Sequence, residues 1–285
     1  MEKTFNQRVV EEFRAHGGRV EGFAAILLLT TAGRSTGRPR TTPLAYREDG
    51  GRYLVFGSNA GSAEHPQWYR NLFAAGGATV EVGDGEGGVT TLSVRPVDLD
   101  GEERERQFAE QVRRVPAFAD YATRTDRTIP VVALHPLDLS ADPAIAGRVL
   151  AQLKLHHEDL RRELADLRTR IDTAGPVPGP DLAAQLRDHC LQFCYGLGMH
   201  HTREDGAFTA FEKQYPQLIP ALARLRREHR TVADALARFE ARLAAPDTDP
   251  AALRAELDRL TDGLEAHFAY EETQLVPPSA PHPPR

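Results

Sequence analysis

The sequence predicts an α+β chain of two domains: a mixed β-barrel with flanking helices, then an all-α, up-down-up-down four-helix bundle. Three observations predict it. Runs of β-branched and apolar residues between turn signals dominate to about residue 137, the apolar period changes to 3.6 from Ile145 onward, and proline, glycine and aspartate breaks cut the second half into four stretches. The length of 285 residues, with 41% hydrophobic content, is too great for one typical core and suits two. The domains are expected at 1–140 and 145–276, joined by a short linker from Asp138 to Asp142. Residues 277–285 hold five prolines and read as a disordered tail.

In the first half, Val9, Val10 and Phe13 at helical spacing predict a lead-in helix over 6–15 that stops at Gly17-Gly18. Strands are expected at 26–31, 41–47, 52–58, 78–82, 89–97 and 129–135, with helices at 66–75 and 101–114. These helices do not alternate regularly with the strands, which disfavours a parallel βαβ sheet and favours a barrel.

Charge excludes one class of partner. The net charge of −6 divides into 17 basic against 19 acidic residues through Leu139 and 18 against 22 beyond it, so neither half carries the concentrated positive field that nucleic acid requires. The apolar run Phe23 to Leu29 is too short to span a bilayer and lacks signal-peptide flanks. Cys190 and Cys194, four apart in a helical pattern, are poorly placed to pair and read as small core residues of a reducing compartment. A cytoplasmic protein is expected.

The seams of the four helices carry the chemistry. The first reads Leu150, Leu153, His157, Leu160, Leu164, Leu167, Ile171; the second Leu186, His189, Phe193, Leu197, His200, Glu204, Phe208, Phe211. The third reads Leu218, Leu222, Leu225, His229, Val232, Leu236, Phe239, Leu243, and the fourth Leu253, Leu257, Leu260, Leu264, His267, Glu271. Every helix thus turns a histidine inward, and two add a carboxylate four residues on, on the same face. Buried ionisable groups cost several kcal/mol each unless partnered, and a metal is the simplest shared partner.

Counting from the helix breaks at about 1.5 Å per residue sets His157, His200, His229 and His267 at one height and His189 about 16 Å away, so His189 is expected as a hydrogen-bonded core residue outside the centre. His156 and His201 fall about 100° off the seam and are expected on its flank, although a register in which His201 or Glu272 replaces its neighbour stays open. Imidazoles with carboxylates suit iron or manganese better than structural zinc.

The motifs HHEDLRREL, HHTREDGAF, LRREHRTV and HFAYEETQL make 149–276 resemble the hemerythrin, or HHE, family. The resemblance implies a non-haem di-iron centre ligated by His157, His200, Glu204, His229, His267 and Glu271, open to dioxygen, nitric oxide or peroxide. It departs from the oxygen carriers at Ala233, where they have a second histidine on the third helix. One ligand short, the site reads as less suited to reversible oxygen carriage.

In the first half, TTAGRSTGRPRTTPL places Arg34, Arg38 and Arg40 with two glycines between strands, able to offer guanidinium forks and backbone N–H groups to an anionic tail. With SNAGSAEHPQWYRNL and FADYATRTDRTIPVVAL it makes residues 5–137 resemble the deazaflavin-dependent nitroreductase family of split β-barrel oxidoreductases. That resemblance implies coenzyme F420, its tail at Gly33, Arg34, Arg38, Arg40, Thr41 and Thr42, and its deazaflavin near Pro43, Leu44, Ser58, Asn59, Ala60, Gly61, Trp68 and Tyr69. It makes Tyr121 the substrate-side group that positions a quinone or nitro acceptor or supplies a proton, with Ser58 the other candidate catalytic residue. Family members usually have lysine where Ser35 stands and often where Asn59 stands, and FMN is the alternative cofactor. The expected function is a deazaflavin-dependent reductase fused to a di-iron domain that binds or senses a diatomic gas or peroxide. The alternative is a non-enzymatic iron sensor on a degenerate or FMN-binding barrel. A homodimer is expected by analogy with other split barrels.

Overall fold

A computed structural model describes residues 3–75, 77–142, 144–174, 180–243 and 250–275. The expected tail at 277–285 lies outside the described residues. Contacts within the chain group the residues through Leu137 with Thr202–Thr209 as one unit, and Asp138–His201 with the residues from Ala210 onward as another.

The first unit opens with α1 (Phe5–Ala15), started by a capping box in which Thr4 and Gln7 exchange side-chain and backbone hydrogen bonds. Six strands follow: β1 (Ile26–Ala32), β2 (Pro39–Asp49), β3 (Arg52–Phe56), β4 (Ala78–Gly83), β5 (Val89–Asp98) and β6 (Val131–Pro136). Every pairing is antiparallel, and the order β1-β2-β3-β6-β5-β4 closes on itself through β1 and β4. Closure removes the exposed edges an open sheet would leave.

Helices α2 (Gln67–Ala75), α3 (Gly101–Arg114) and α4 (Ala117–Thr123) interrupt the strands. The sequence reading anticipated the first two and not α4, which has only seven residues, too few for a period to show. Leu27, Leu29, Val55, Val80, Val132 and Leu134 fill the barrel with Trp68 and Leu72 of α2. Their neighbours on the outer face are also apolar: Ile26 and Leu28 pack under Val9 and Phe13 of α1, and Leu54, Phe56, Val131 and Ala133 pack with Phe118 of α4. That double covering explains why residues 26–29 of β1 and 131–134 of β6 are apolar without alternation.

The helices that follow are α5 (Ala144–Ala174), α6 (Pro180–Gln214), α7 (Ile219–Leu243) and α8 (Pro250–Gln274), which share one hydrophobic core. The seams of α5 and α8 are buried where their period places them, and so is that of α7 from Leu222 onward; Leu218 lies half-buried in a short 3-10 turn before α7. The seam of α6 departs at one point. His189 is exposed, bonded through Nδ1 to the Gln185 carbonyl at 2.8 Å, and Cys190 and Cys194 line the core in its place. A small apolar thiol is easier to desolvate than an imidazole. Burial pushes the Cys190 thiol up to about 11 and the Cys194 thiol higher, so both stay protonated and unreactive. Among the described residues, no helix is long and apolar enough to cross a membrane.

Candidate functional site

In the bundle, helical spacing delivers the histidines and carboxylates to one level. His157 of α5, His200, His201 and Glu204 of α6, His229 of α7, and His267 and Glu271 of α8 are all 8% exposed or less. Their donor atoms form two groups, one of His201, Glu204, His229 and His267, the other of His157, His200 and Glu204, each with donors within 4.8 Å of one another. Glu204 belongs to both. Glu271 stands between them, with Oε2 3.4 Å from His157 Nε2 and 3.8 Å from His267 Nε2. Five imidazoles and two shared carboxylates form a donor set suited to a pair of divalent cations of the iron or manganese type.

All six residues expected as ligands are therefore brought together, and a seventh, His201, joins them. Its imidazole stacks on that of His229 at 4.2 Å between centroids. The signal was the HH dyad itself: both of its members are buried, because α6 turns a face broad enough for two adjacent residues toward α5, α7 and α8 at this level. Ala233, the position that carries histidine in oxygen carriers, is exposed. His156 stays on the flank, half-buried beside Gln152.

Carboxylates also hold two of these imidazoles from outside. His157 Nδ1 lies 2.9 Å from Glu272 and His267 Nδ1 lies 2.8 Å from Glu228. Burial alone would push both carboxyls up, but the histidine and arginine beside each outweigh it and hold them below the usual carboxylate range. Glu272 thus partners His157 at the ring nitrogen Nδ1, while Glu271 faces its Nε2.

In the barrel unit, the turn between β1 and β2 is closed by Gly33 N–H donating to the Arg38 carbonyl at 2.9 Å and tied to α2 by Arg34 N–H donating to Asn71 at 3.2 Å. Arg34, Arg38 and Arg40 are exposed around it. Thr41, Thr42, Pro43 and Leu44 follow on β2, paired with Thr30 to Leu27, and the Thr30 and Thr41 hydroxyls bond at 2.9 Å.

Ser58 to Gly61 form a tight turn in which Asn59, Ala60 and Gly61 all have positive φ, at 47°, 51° and 81°. Such a backbone persists in non-glycine residues only when its surroundings impose it. Arg127 does so, donating from Nη2 to the Ser58 carbonyl at 2.7 Å and from Nε to the Ser62 carbonyl at 2.9 Å. Tyr121 is half-buried against Phe118 on α4, whose backbone closes over Gly61. Trp68 belongs to the barrel core, whereas Tyr69 stacks on His65 and donates its hydroxyl to Asp98. Burial, then that hydrogen bond, raises the Tyr69 phenol to about 12. Asn71, Asp98 and Arg127 were not singled out by the sequence reading, because their role lies in contacts with residues far along the chain.

Comparison with known proteins places this geometry in context. Residues 3–136 match the model of the F420H(2)-dependent quinone reductase family, and residues 148–278 match that of the hemerythrin HHE cation binding domain. An F420H(2)-dependent quinone reductase of Mycobacterium tuberculosis is 40% identical over 118 residues, covering 41% of this chain and 78% of that protein. A putative F420H(2)-dependent quinone reductase of the same species is 35% identical over 113 residues, 39% of this chain and 88% of that protein. A solved F420-H2 dependent reductase is 37% identical, covering 39% of this chain and 93% of its own, with a TM-score of 0.35. Through its first half the chain belongs to the F420H(2)-dependent quinone reductase family, and it carries a hemerythrin HHE domain in the same polypeptide.

Proposed function

We propose that the barrel half binds F420H(2) and reduces a quinone, and that the bundle half holds two iron ions that meet dioxygen, nitric oxide or peroxide. The observation that carries the first part is the pair of loops that a quinone-reductase barrel brings with it in this chain: the arginine-rich turn at 33–40 and the clamped turn at 58–61. Nothing among the matches described supports FMN.

F420H(2), when bound, supplies a hydride, and a quinone that accepts it with one proton becomes a quinol. The chain's own residues do the rest. Gly33, Arg34, Arg38, Arg40, Thr41 and Thr42 hold the anionic tail through guanidinium and hydroxyl groups. Pro43, Leu44 and the turn from Ser58 through Asn59 and Ala60 to Gly61 seat the ring system, and Arg127 keeps that turn in its strained form before any ligand arrives. Trp68 acts from the barrel core as support for α2, with Tyr69 beside it at the surface. Tyr121 holds a proton at its hydroxyl on the acceptor side, and Ser58 orients the acceptor beside it.

In the bundle, His157, His200, Glu204, His229, His267 and Glu271 ligate the metal pair, with His201 as the further nitrogen donor. Iron held there supplies one-electron chemistry with small oxidants. The two buried free cysteines support a reducing compartment, and we place the protein in the cytoplasm.

The test is a titration of the purified full-length protein with F420 and with FMN in parallel, alongside its iron content and its oxidation of F420H(2) with menadione as acceptor. Saturable F420 binding, menadione-dependent turnover and about two irons per chain are expected. Absence of F420 binding would end the reductase reading, and iron content near zero would end the di-iron one.

A further inference from the structure

Two flanks of α8 carry the same four-part arrangement. On one flank, His267 of α8 meets Glu228 of α7 at 2.8 Å, Arg224 donates to Glu228 at 2.7 Å, and the Arg224 guanidinium lies 3.7 Å over the ring of Tyr270. On the other flank, His157 of α5 meets Glu272 of α8 at 2.9 Å, Arg161 donates to Glu272 at 3.0 Å, and the Arg161 guanidinium lies 5.3 Å over the ring of Phe268. Arg161 is fixed a second time by Glu265 at 3.0 Å. In both, an inward Nε2 is backed by a carboxylate on Nδ1, the carboxylate by an arginine, and the arginine by an aromatic ring of α8.

We propose that Glu228 and Glu272 are positioning residues for the metal pair, each holding one histidine as the Nδ1–H tautomer with Nε2 turned to the metal, and that Arg224 and Arg161 lock them in place. The inference rests on the reading of the histidine cluster as a metal centre. An imidazole ligand needs one ring nitrogen deprotonated and aimed, and a carboxylate on the other nitrogen fixes which one it is and makes it a stronger donor. Ordinary surface ion pairs would not produce this pattern. Exposed Arg–Glu pairs at i and i+4 contribute little to stability and involve no third residue. Here each carboxylate is only 28% exposed, and each reaches a histidine almost wholly buried. The two braces serve different donor groups, His267 in one and His157 in the other, so each metal position has one braced histidine.

The experiment uses full-length wild type with Glu228→Ala, Glu228→Gln, Glu272→Ala and Glu272→Gln. In the metal-free protein, long-range 1H–15N spectra of the histidine rings read the tautomer directly. His157 and His267 are expected as Nδ1–H in wild type, and each alanine variant is expected to disturb only its own ring. Anaerobic Fe(II) titration is then expected to show a loss of about 10–100-fold in affinity for each alanine variant. A smaller loss is expected for each glutamine variant, which keeps an acceptor without the charge. Mössbauer spectra should change at one iron site per variant.

An Nε2–H tautomer in wild type, or unaltered iron affinity and spectra in both alanine variants, would overturn the proposal. If an alanine variant fails to fold, its glutamine counterpart decides by the same readings. Failure of wild type to take up iron would overturn the metal reading itself, and that outcome is separate from the tautomer result.

Discussion

The imidazole of His201 lies flat on that of His229, centroids 4.2 Å apart and planes 11° from parallel, with His267 edge-on to both at 5.3 and 4.9 Å. Three imidazoles thus gather at one donor group and two, His157 and His200, at the other. Ala233 on α7 is exposed, and the further imidazole near His229 comes from His201 on α6. If His201 is a ligand as proposed, His201→Ala should lower iron content from about two to about one per chain while the barrel still binds F420. Metal analysis of protein reconstituted with excess Fe(II) checks this, and a content equal to wild type would return His201 to the flank.

Arg127 holds the turn at 58–62 through two carbonyl oxygens. Charge-assisted hydrogen bonds of this kind are worth about 1.5–3 kcal/mol, and Arg127→Ala should release the strained turn. The expected result is a loss of about tenfold or more in F420 affinity, read by fluorescence titration, with a smaller change in melting temperature. Affinity within twofold of wild type would mean that the turn does not seat the cofactor.

Gly61 has φ +81°, and a Cβ placed there would lie 2.7 Å from Arg124 Cβ and 2.9 Å from the Tyr121 carbonyl. Gly61→Ala is therefore expected to destabilise the barrel by about 1–3 kcal/mol and to push α4, with Tyr121, away from the turn. Chemical denaturation followed at Trp68, the sole tryptophan, measures the first effect and the KM for quinone the second.

Tyr69 gives the barrel a pH signature. Its phenol is raised from 10.0 to about 12 by burial and then by the hydrogen bond to Asp98, so the folded state favours the protonated form. The stabilisation is fully present below the unfolded value near 10 and is lost as pH rises through the folded value near 12. Tyr69→Phe should cost about 1 kcal/mol at neutral pH. It should also flatten the fall in melting temperature between those values, and a slope equal to that of wild type would remove Tyr69 as its source.

The sequence by itself determined the two-part architecture, because strand runs and a 3.6-residue period are local properties written in neighbouring residues. It also brought six buried histidines and carboxylates into view: spacings of four put His200 with Glu204 and His267 with Glu271 on shared faces, and counting along helices set the four levels. Only the tertiary structure decided which face of α6 is buried. Local period could not say that Cys190 would displace His189 from the core, or that both histidines of the HH dyad would face inward, since that depends on the width of the space left by three other helices. The braces of Glu228 and Glu272 and the clamp of Arg127 were likewise decided in three dimensions, as their partners lie 39, 115 and up to 69 residues away along the chain. Contacts of that range have no period to reveal them; they exist only once the chain has closed.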